Sequence, residues 1–244
     1  MDMPTNSMHS VPAGTAVSSV MPVPGTPAFA ELCRSLDRRP LGYRALKRAF
    51  DLLFSGVVCL LCLVPGLLLS VAVAADTKGS PIYSQVRAGR RGRPFRIYKF
   101  RSMVADSDDV EKWLDAAQLE QWRRERKVDG DPRVTRLGRV LRRTSLDELP
   151  QFLNVLLGQI SVIGPRVITY DELANFGPDA ALLLSVEPGI TGAWQAGPRN
   201  EATFENGERQ RVELAYARSA GPRRDASIFL ATFGAMFGRN RTGR

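Results

Sequence analysis

The chain of 244 residues carries 34 Lys and Arg against 25 Asp and Glu, a net charge of +9, with one histidine and three cysteines. A single imidazole, His9 in a Pro- and Ser-rich stretch, excludes Ser-His-Asp and Cys-His catalytic systems, and so few thiols exclude the usual zinc sites. Carboxylates, arginines and lysines are left to carry any chemistry. Two of the cysteines, Cys59 and Cys62, lie inside an apolar run, which argues against a disulfide framework and for a reducing, cytoplasm-facing location.

Residues 1–40 hold six prolines among Ser, Thr, Gly and Ala with no apolar period, and are expected to be a disordered lead. Arg34, Arg38, Arg39, Arg44, Lys47 and Arg48 then precede 24 consecutive uncharged residues, Leu52 to Ala75. As one straight helix that run would measure about 36 Å, against about 30 Å of membrane hydrocarbon. Pro65-Gly66 interrupts it, and a break is expected there because proline removes a backbone donor and clashes with the preceding turn. Basic residues also follow the run, at Lys78, Arg87, Arg90, Arg91 and Arg93. A straight span would place one basic cluster outside, whereas a helix that enters, breaks at Pro65 and returns keeps both on the cytoplasmic side. Residues 41–76 are therefore read as a re-entrant membrane helix.

Residues 77–225 have the composition of a soluble, basic domain. PIYSQV and FRIYKF read as short strands joined by a Gly/Arg turn, and Asp106 to Lys127 as one helix with acids at its start and bases at its end. Arginines at 133, 136, 139, 142 and 143 lead into an apolar helix closed by Gly158, a strand from Ile160 to Ile163 and a Gly-Pro-Arg turn at 164–166. The final segment, 226–244, is apolar and then basic, as in an interfacial anchor.

Asp147 and Glu148 stand directly after the arginines. One reading is structural: Ser145-x-x-Glu148 matches a helix capping box. The other is chemical: adjacent carboxylates face a cationic cleft formed by the 87–101 run with Arg142, Arg143 and Arg166. Clustered guanidinium groups suit phosphate, and a carboxylate held ionised among them can act as a nucleophile or a magnesium ligand. Covalent phosphoryl transfer on a carboxylate needs neither histidine nor cysteine.

Four segments in this order, KRAFDLLFS, GSPIYSQVRAGRRGRPFRIYKFRSM, DPRVTRLGRVLRRTSLDELPQFLNVLLGQISVIGPR and EPGITGAWQ, resemble the bacterial sugar transferase family of small monotopic phosphoglycosyl transferases. The resemblance runs from about Lys47 to the end of the chain. It implies an α/β, monotopic membrane protein with a proline-broken re-entrant helix, a small catalytic domain and amphipathic interfacial helices. It further implies that Asp147 attacks the sugar-bearing phosphate of a UDP-sugar and releases UMP, and that polyprenyl (undecaprenyl) phosphate then takes the sugar phosphate. Mg²⁺ near Asp147 would serve as cofactor, with Glu148 as base or as support of the site's geometry. Lys99, Arg101, Arg142 and Arg166 match phosphate-binding positions, and Pro65 matches the helix break.

The implied place is the cytoplasmic face of the bacterial inner membrane, among membrane lipid. Val64, Gln159, Val167 and Gly197-Pro198-Arg199 depart from the family pattern. A basic peripheral scaffold of polysaccharide assembly is the alternative from another class. Nucleic acid is not an expected partner, since Phe95, Tyr98 and Phe100 lie in a strand. A homo-oligomer is compatible with the sequence, which does not name the sugar.

Overall fold

A computed structural model describes residues 21–125, 128–197 and 202–237. Helix α1 (Pro27–Leu36) is capped by Thr26, whose Oγ1 accepts from the Phe29 amide. It buries Phe29 and Cys33 against Leu183 and Leu184, so the expected disordered lead ends well before residue 40. The first 20 residues of that lead lie outside the described ones.

Helices α2 (Leu41–Leu61) and α3 (Leu63–Thr77) form a pair bent by 62°. The break falls at Cys62, not at Pro65 as expected, and the reason is steric. A proline ring collides with the carbonyl four residues before it, here that of Leu61, the last residue of α2. Pro65 itself sits in the first turn of α3, where its missing N–H loses nothing. No single helix among the described residues is long and apolar enough to cross a membrane.

Both ends of this pair pack on the domain that follows. In the first part of α2, Tyr43 and Lys47 bond the Asp225 carboxylate at 2.8 and 2.7 Å. Asp51 accepts from the Ser161 hydroxyl and the Val162 amide, both at 2.9 Å. At the far end of α3, Val73 is buried with Phe100 and Leu141. Between these anchors Leu53, Val57, Leu60, Leu61, Leu67 and Leu68 are exposed.

The domain mixes helices with two small sheets. Strands β1 (Ile82–Ala88) and β2 (Pro94–Phe100) form an antiparallel hairpin, as expected, with Arg87 opposite Phe95 and Tyr83 opposite Lys99. The two-residue period puts Arg87, Phe95, Ile97 and Lys99 on one face. Phe95 and Ile97 enter the core there, while the two cations reach its edge. The helix expected over 106–127 is two, α4 (Val110–Trp113) and α5 (Ala116–Glu125), separated where Leu114 turns inward in extended conformation.

Helix α6 (Arg136–Thr144) leads through a 3₁₀ turn, Leu146–Glu148, into α7 (Gln151–Leu156) and β3 (Ser161–Ile163). Then come α8 (Tyr170–Leu173), α9 (Ala180–Leu183), β4 (Gly189–Thr191), α10 (Ala193–Ala196), α11 (Glu208–Ser219) and α12 (Pro222–Phe237). Strands β3 and β4 pair in parallel, Ser161 with Gly189 and Ile163 with Thr191. Their ends approach so closely that a Cβ on Gly189 would overlap the amide of Gly164. In α12, Phe229 stacks edge-on against Phe50 and Phe54 of α2, which ties the C-terminal helix to the bent pair. The basic residues expected after it lie outside the described ones.

Candidate active site

The acid pair is placed by two helices that meet without a continuous axis. Ser145 closes α6 in the left-handed conformation, φ 57°, and its side chain caps nothing. The capping-box reading therefore fails: Ser145 is the end of one helix, and Asp147 and Glu148 occupy a single 3₁₀ turn before the next begins. Asn154 of α7 locks this turn over the hairpin. Its buried amide accepts from the Tyr98 N–H at 3.0 Å and donates to the Arg96 carbonyl at 2.7 Å, completing the free edge of β2. Gln159, at one of the departures, accepts from the same amide at 2.6 Å, and so has a structural role.

Lys99 consequently reaches Glu148, with Nζ donating to Oε1 at 2.9 Å. The two border an open cleft whose walls also include Arg87, Gln151, Arg166 and Gln195. Asp147 stands one residue away on the same turn. Burial and the adjacent Glu148 push its carboxyl up to about 6, against the opposing pull of Lys99 and Arg142. The expectation that surrounding cations would simply hold it ionised is thus corrected. Desolvation and a like charge outweigh them, and the group titrates just below neutrality.

The structure also sorts the cations. Arg166 leaves the 164–166 turn, which is held by Gly164 donating to the Thr191 carbonyl at 2.9 Å and Gly189 donating to that of Pro165 at 2.7 Å. The Arg166 amide donates to Glu213 at 3.1 Å, a buried carboxyl pushed up to about 7 by its burial. Its guanidinium lies 5.3 Å from the Trp194 ring centre and makes no hydrogen bond with any described residue. Trp194 is in turn backed by Arg209, 4.6 Å away on the ring, and fixed by Nε1 donating to the Ala202 carbonyl at 2.8 Å.

Arg142 acts on Asp147 through charge while its Nε donates to Ser102 Oγ at 2.8 Å. Arg101 turns to the Ser80 carbonyl at 2.8 Å and does not line the cleft. Other arginines serve the scaffold, among them Arg90 of the expected cleft. Arg90 and Arg39 share Asp37 and Glu187 in a buried network, and Arg133 clasps Asp131. Residues that sequence reading did not single out, Gln151, Trp194, Gln195 and Glu213, complete or support the site. Trp194 and Gln195 lay inside a quoted motif but carried no charge signal.

No cluster of three or more His, Cys, Asp or Glu suited to a metal occurs among the described residues. Two adjacent carboxylates that repel one another fit Mg²⁺ only when phosphate oxygens complete the shell, which is that ion's usual habit.

A cleft lined by Lys99, Arg87 and an unbonded Arg166 guanidinium has the chemistry that suits phosphate oxygens. The chain belongs to the bacterial sugar transferase family, which matches residues 42–239. It is 37% identical over 200 residues to the UDP-galactose-lipid carrier transferase of Erwinia amylovora, covering 81% of this chain and 41% of that protein. It is 42% identical over 169 residues to the exopolysaccharide production protein ExoY of Rhizobium meliloti (strain 1021), covering 68% of this chain and 74% of that one. With the undecaprenyl-phosphate galactose phosphotransferase of Salmonella typhimurium it shares 42% over 166 residues, 66% of this chain and 34% of that protein. The chain thus spans well under half the length of two of these relatives.

Proposed function

We propose that the chain moves a sugar-1-phosphate from a UDP-sugar to polyprenyl (undecaprenyl) phosphate, through a covalent aspartyl phosphosugar, and so starts exopolysaccharide or glycoconjugate assembly. The observation that carries this reading is the placement of the Lys99–Glu148 pair and the unbonded Arg166 guanidinium in one cleft, with Asp147 on the turn beside it and not in its lining. The relatives named for transfer from or to such carriers favour the same substrates.

In this reaction an Asp147 oxygen attacks the sugar-bearing phosphorus, the bond to the bridging oxygen breaks, and UMP leaves with that electron pair. An oxygen of the lipid phosphate then attacks the aspartyl phosphorus and the carboxylate is restored. At neutral pH a group titrating near 6 is mostly ionised, yet less solvated than a surface carboxylate and so a better nucleophile. Arg166 and Lys99 neutralise phosphate oxygens, and Glu148 holds Lys99 in place and takes a proton where one must be lost. Asp147 and Glu148 would hold Mg²⁺, which when bound supplies charge neutralisation at the diphosphate.

The anchoring of both ends of the α2–α3 pair on one domain, with the exposed leucines at its bend, favours a re-entrant hairpin. Both basic flanks then face the cytoplasm, on the inner membrane where the lipid carrier lies. In the purified, detergent-solubilised chain supplied with UDP-sugars, polyprenyl phosphate and Mg²⁺, Asp147→Asn is expected to lower UMP release by at least about a thousandfold. Release at the wild-type rate would overturn the assignment. Lipid binding by a wild-type chain that releases no UMP would make it a scaffold.

A further inference from the structure

Charges in and beside the cleft fall into two groups. Asp147 interacts with Lys99, Arg142 and Glu148, whereas Arg87 interacts with Arg166 and Glu172. Around the second group the walls are formed by Val167, Gly189, Ile190 and Gln195, which carry no charge. Gln195 is the polar exception. Its Oε1 is buried without a hydrogen-bond partner, while Nε2 donates to the Ile190 carbonyl at 3.4 Å, turning the oxygen away from that carbonyl. A buried acceptor left unpaired costs about 1–3 kcal/mol, so a donor supplied from the cleft would recover that cost once a rotation of the side chain uncovers the oxygen.

We propose that Gln195 reads the uracil ring of the donor, accepting from its N3–H. The inference rests on the transfer reaction above. In-line displacement puts nucleophile and leaving group on opposite sides of the phosphorus. The leaving UMP therefore runs along the cleft away from Asp147, toward Arg166 and Gln195. Arg166, stacked on Trp194, takes the phosphate of UMP, and Val167 and Ile190 offer apolar surface to a flat ring. Trp194 Nε1, bonded to Ala202, holds α10 and with it the neighbouring Gln195. Cytosine presents an unprotonated N3 at the position where uracil carries N3–H. The carbonyl oxygen accepts from uracil and repels cytosine, so the site discriminates between them.

The test is direct binding of UMP and CMP, by calorimetry, to the full-length chain in detergent. Wild type is expected to bind UMP at least about tenfold more tightly than CMP, and Gln195→Ala to weaken UMP about tenfold without weakening CMP, from which it removes a repulsion. Gln195→Met keeps the side-chain volume without the acceptor and is expected to behave the same way, which separates recognition from misfolding. Equal binding of the two nucleotides by wild type would overturn the proposal. So would unchanged UMP affinity in both variants together with an altered preference among UDP-sugars, which would assign Gln195 to the sugar. Failure of the transfer reaction itself would appear separately, as a wild-type chain that binds UMP selectively but releases none from any UDP-sugar.

Discussion

Asp147 shows how one side chain is tuned by its neighbours. Its carboxyl, raised from 3.8 to about 6, is protonated more readily in the folded chain than in the unfolded one. The stabilisation this brings is fully present below about pH 4 and is lost as the pH rises through 6, so above that the ionised group weighs against folding. Asp147→Asn is accordingly expected to remove activity while raising the melting temperature by about 2–4 °C, for about 1 kcal/mol after solvent screening. Differential scanning calorimetry at pH 7.5 against wild type checks this. The rate of UMP release should climb with pH as Asp147 ionises and level off by about 6, with bound Mg²⁺ moving the rise to lower pH because its charge favours the carboxylate. Lys99 pulls that carboxyl down, so Lys99→Met is expected to move the rising limb to higher pH. A limb left in place would show that Lys99 does not act on Asp147 through its charge.

At the scale of elements, the junction between α6 and α7 was the part of the site least visible beforehand. The spacing Ser145-x-x-Glu148 is that of a cap, but the same spacing accommodates a left-handed helix end followed by a tight turn. Nothing in the side chains distinguishes the two, because the backbone angle at Ser145 is decided by where α6 stops against Ser102 and the hairpin. The two alternatives predict opposite responses. A left-handed Ser145 makes Ser145→Gly neutral or stabilising by up to about 1 kcal/mol and Ser145→Val destabilising, whereas loss of a true cap would cost about 1 kcal/mol with valine and a few tenths of that with glycine. Urea unfolding of the three chains decides between them.

The bend between α2 and α3 teaches a complementary lesson. Its cause, Pro65, was legible, and its position was displaced by one turn because the steric conflict is with the carbonyl of Leu61. Pro65→Ala removes that conflict and restores a donor. It is expected to lengthen the distance between spin labels at positions 57 and 71, measured by pulsed electron resonance in detergent. An unchanged distance would mean that the packing of Val73 on Phe100 and Leu141 alone holds the bend.

For the whole molecule, the exposed apolar residues gather on one construction. Leu53, Leu60, Leu67 and Leu68 lie on the bent pair, Leu153 on α7 with Leu157 just past its end, and Leu230 and Phe233 on α12. Phe50, Phe54, Phe152 and Phe229 stack between α2, α7 and α12, so the three elements are joined by rings. An apolar surface this broad is stable only when covered. The chain is expected to float with liposomes and to resist extraction by high salt, while Leu60→Arg with Leu67→Arg moves it to the soluble fraction. Flotation of both forms measures the effect. The buried Lys47–Asp225 pair, bonded by Tyr43 and Tyr216 as well, fixes the angle at which α2 leaves the domain and thereby the attitude of the cleft to that surface.

Local order was determined by the sequence alone: the hairpin from its alternating apolar residues, the interrupted apolar segment from its length and proline, and the acid pair from its place after a run of arginines. These features depend on spacing and on neighbours within a turn or two. Only tertiary structure decided which cations face the cleft. Arg39, Arg90 and Arg133 are consumed by Asp37, Glu187 and Asp131, while Lys99, Arg87 and Arg166 remain at the cleft. Charge states how many partners an arginine needs, but which carboxylate supplies them depends on contacts between residues as far apart as Arg39 and Glu187. Folding makes those contacts, and with them sets the titration of Asp147 and the single unpaired oxygen of Gln195.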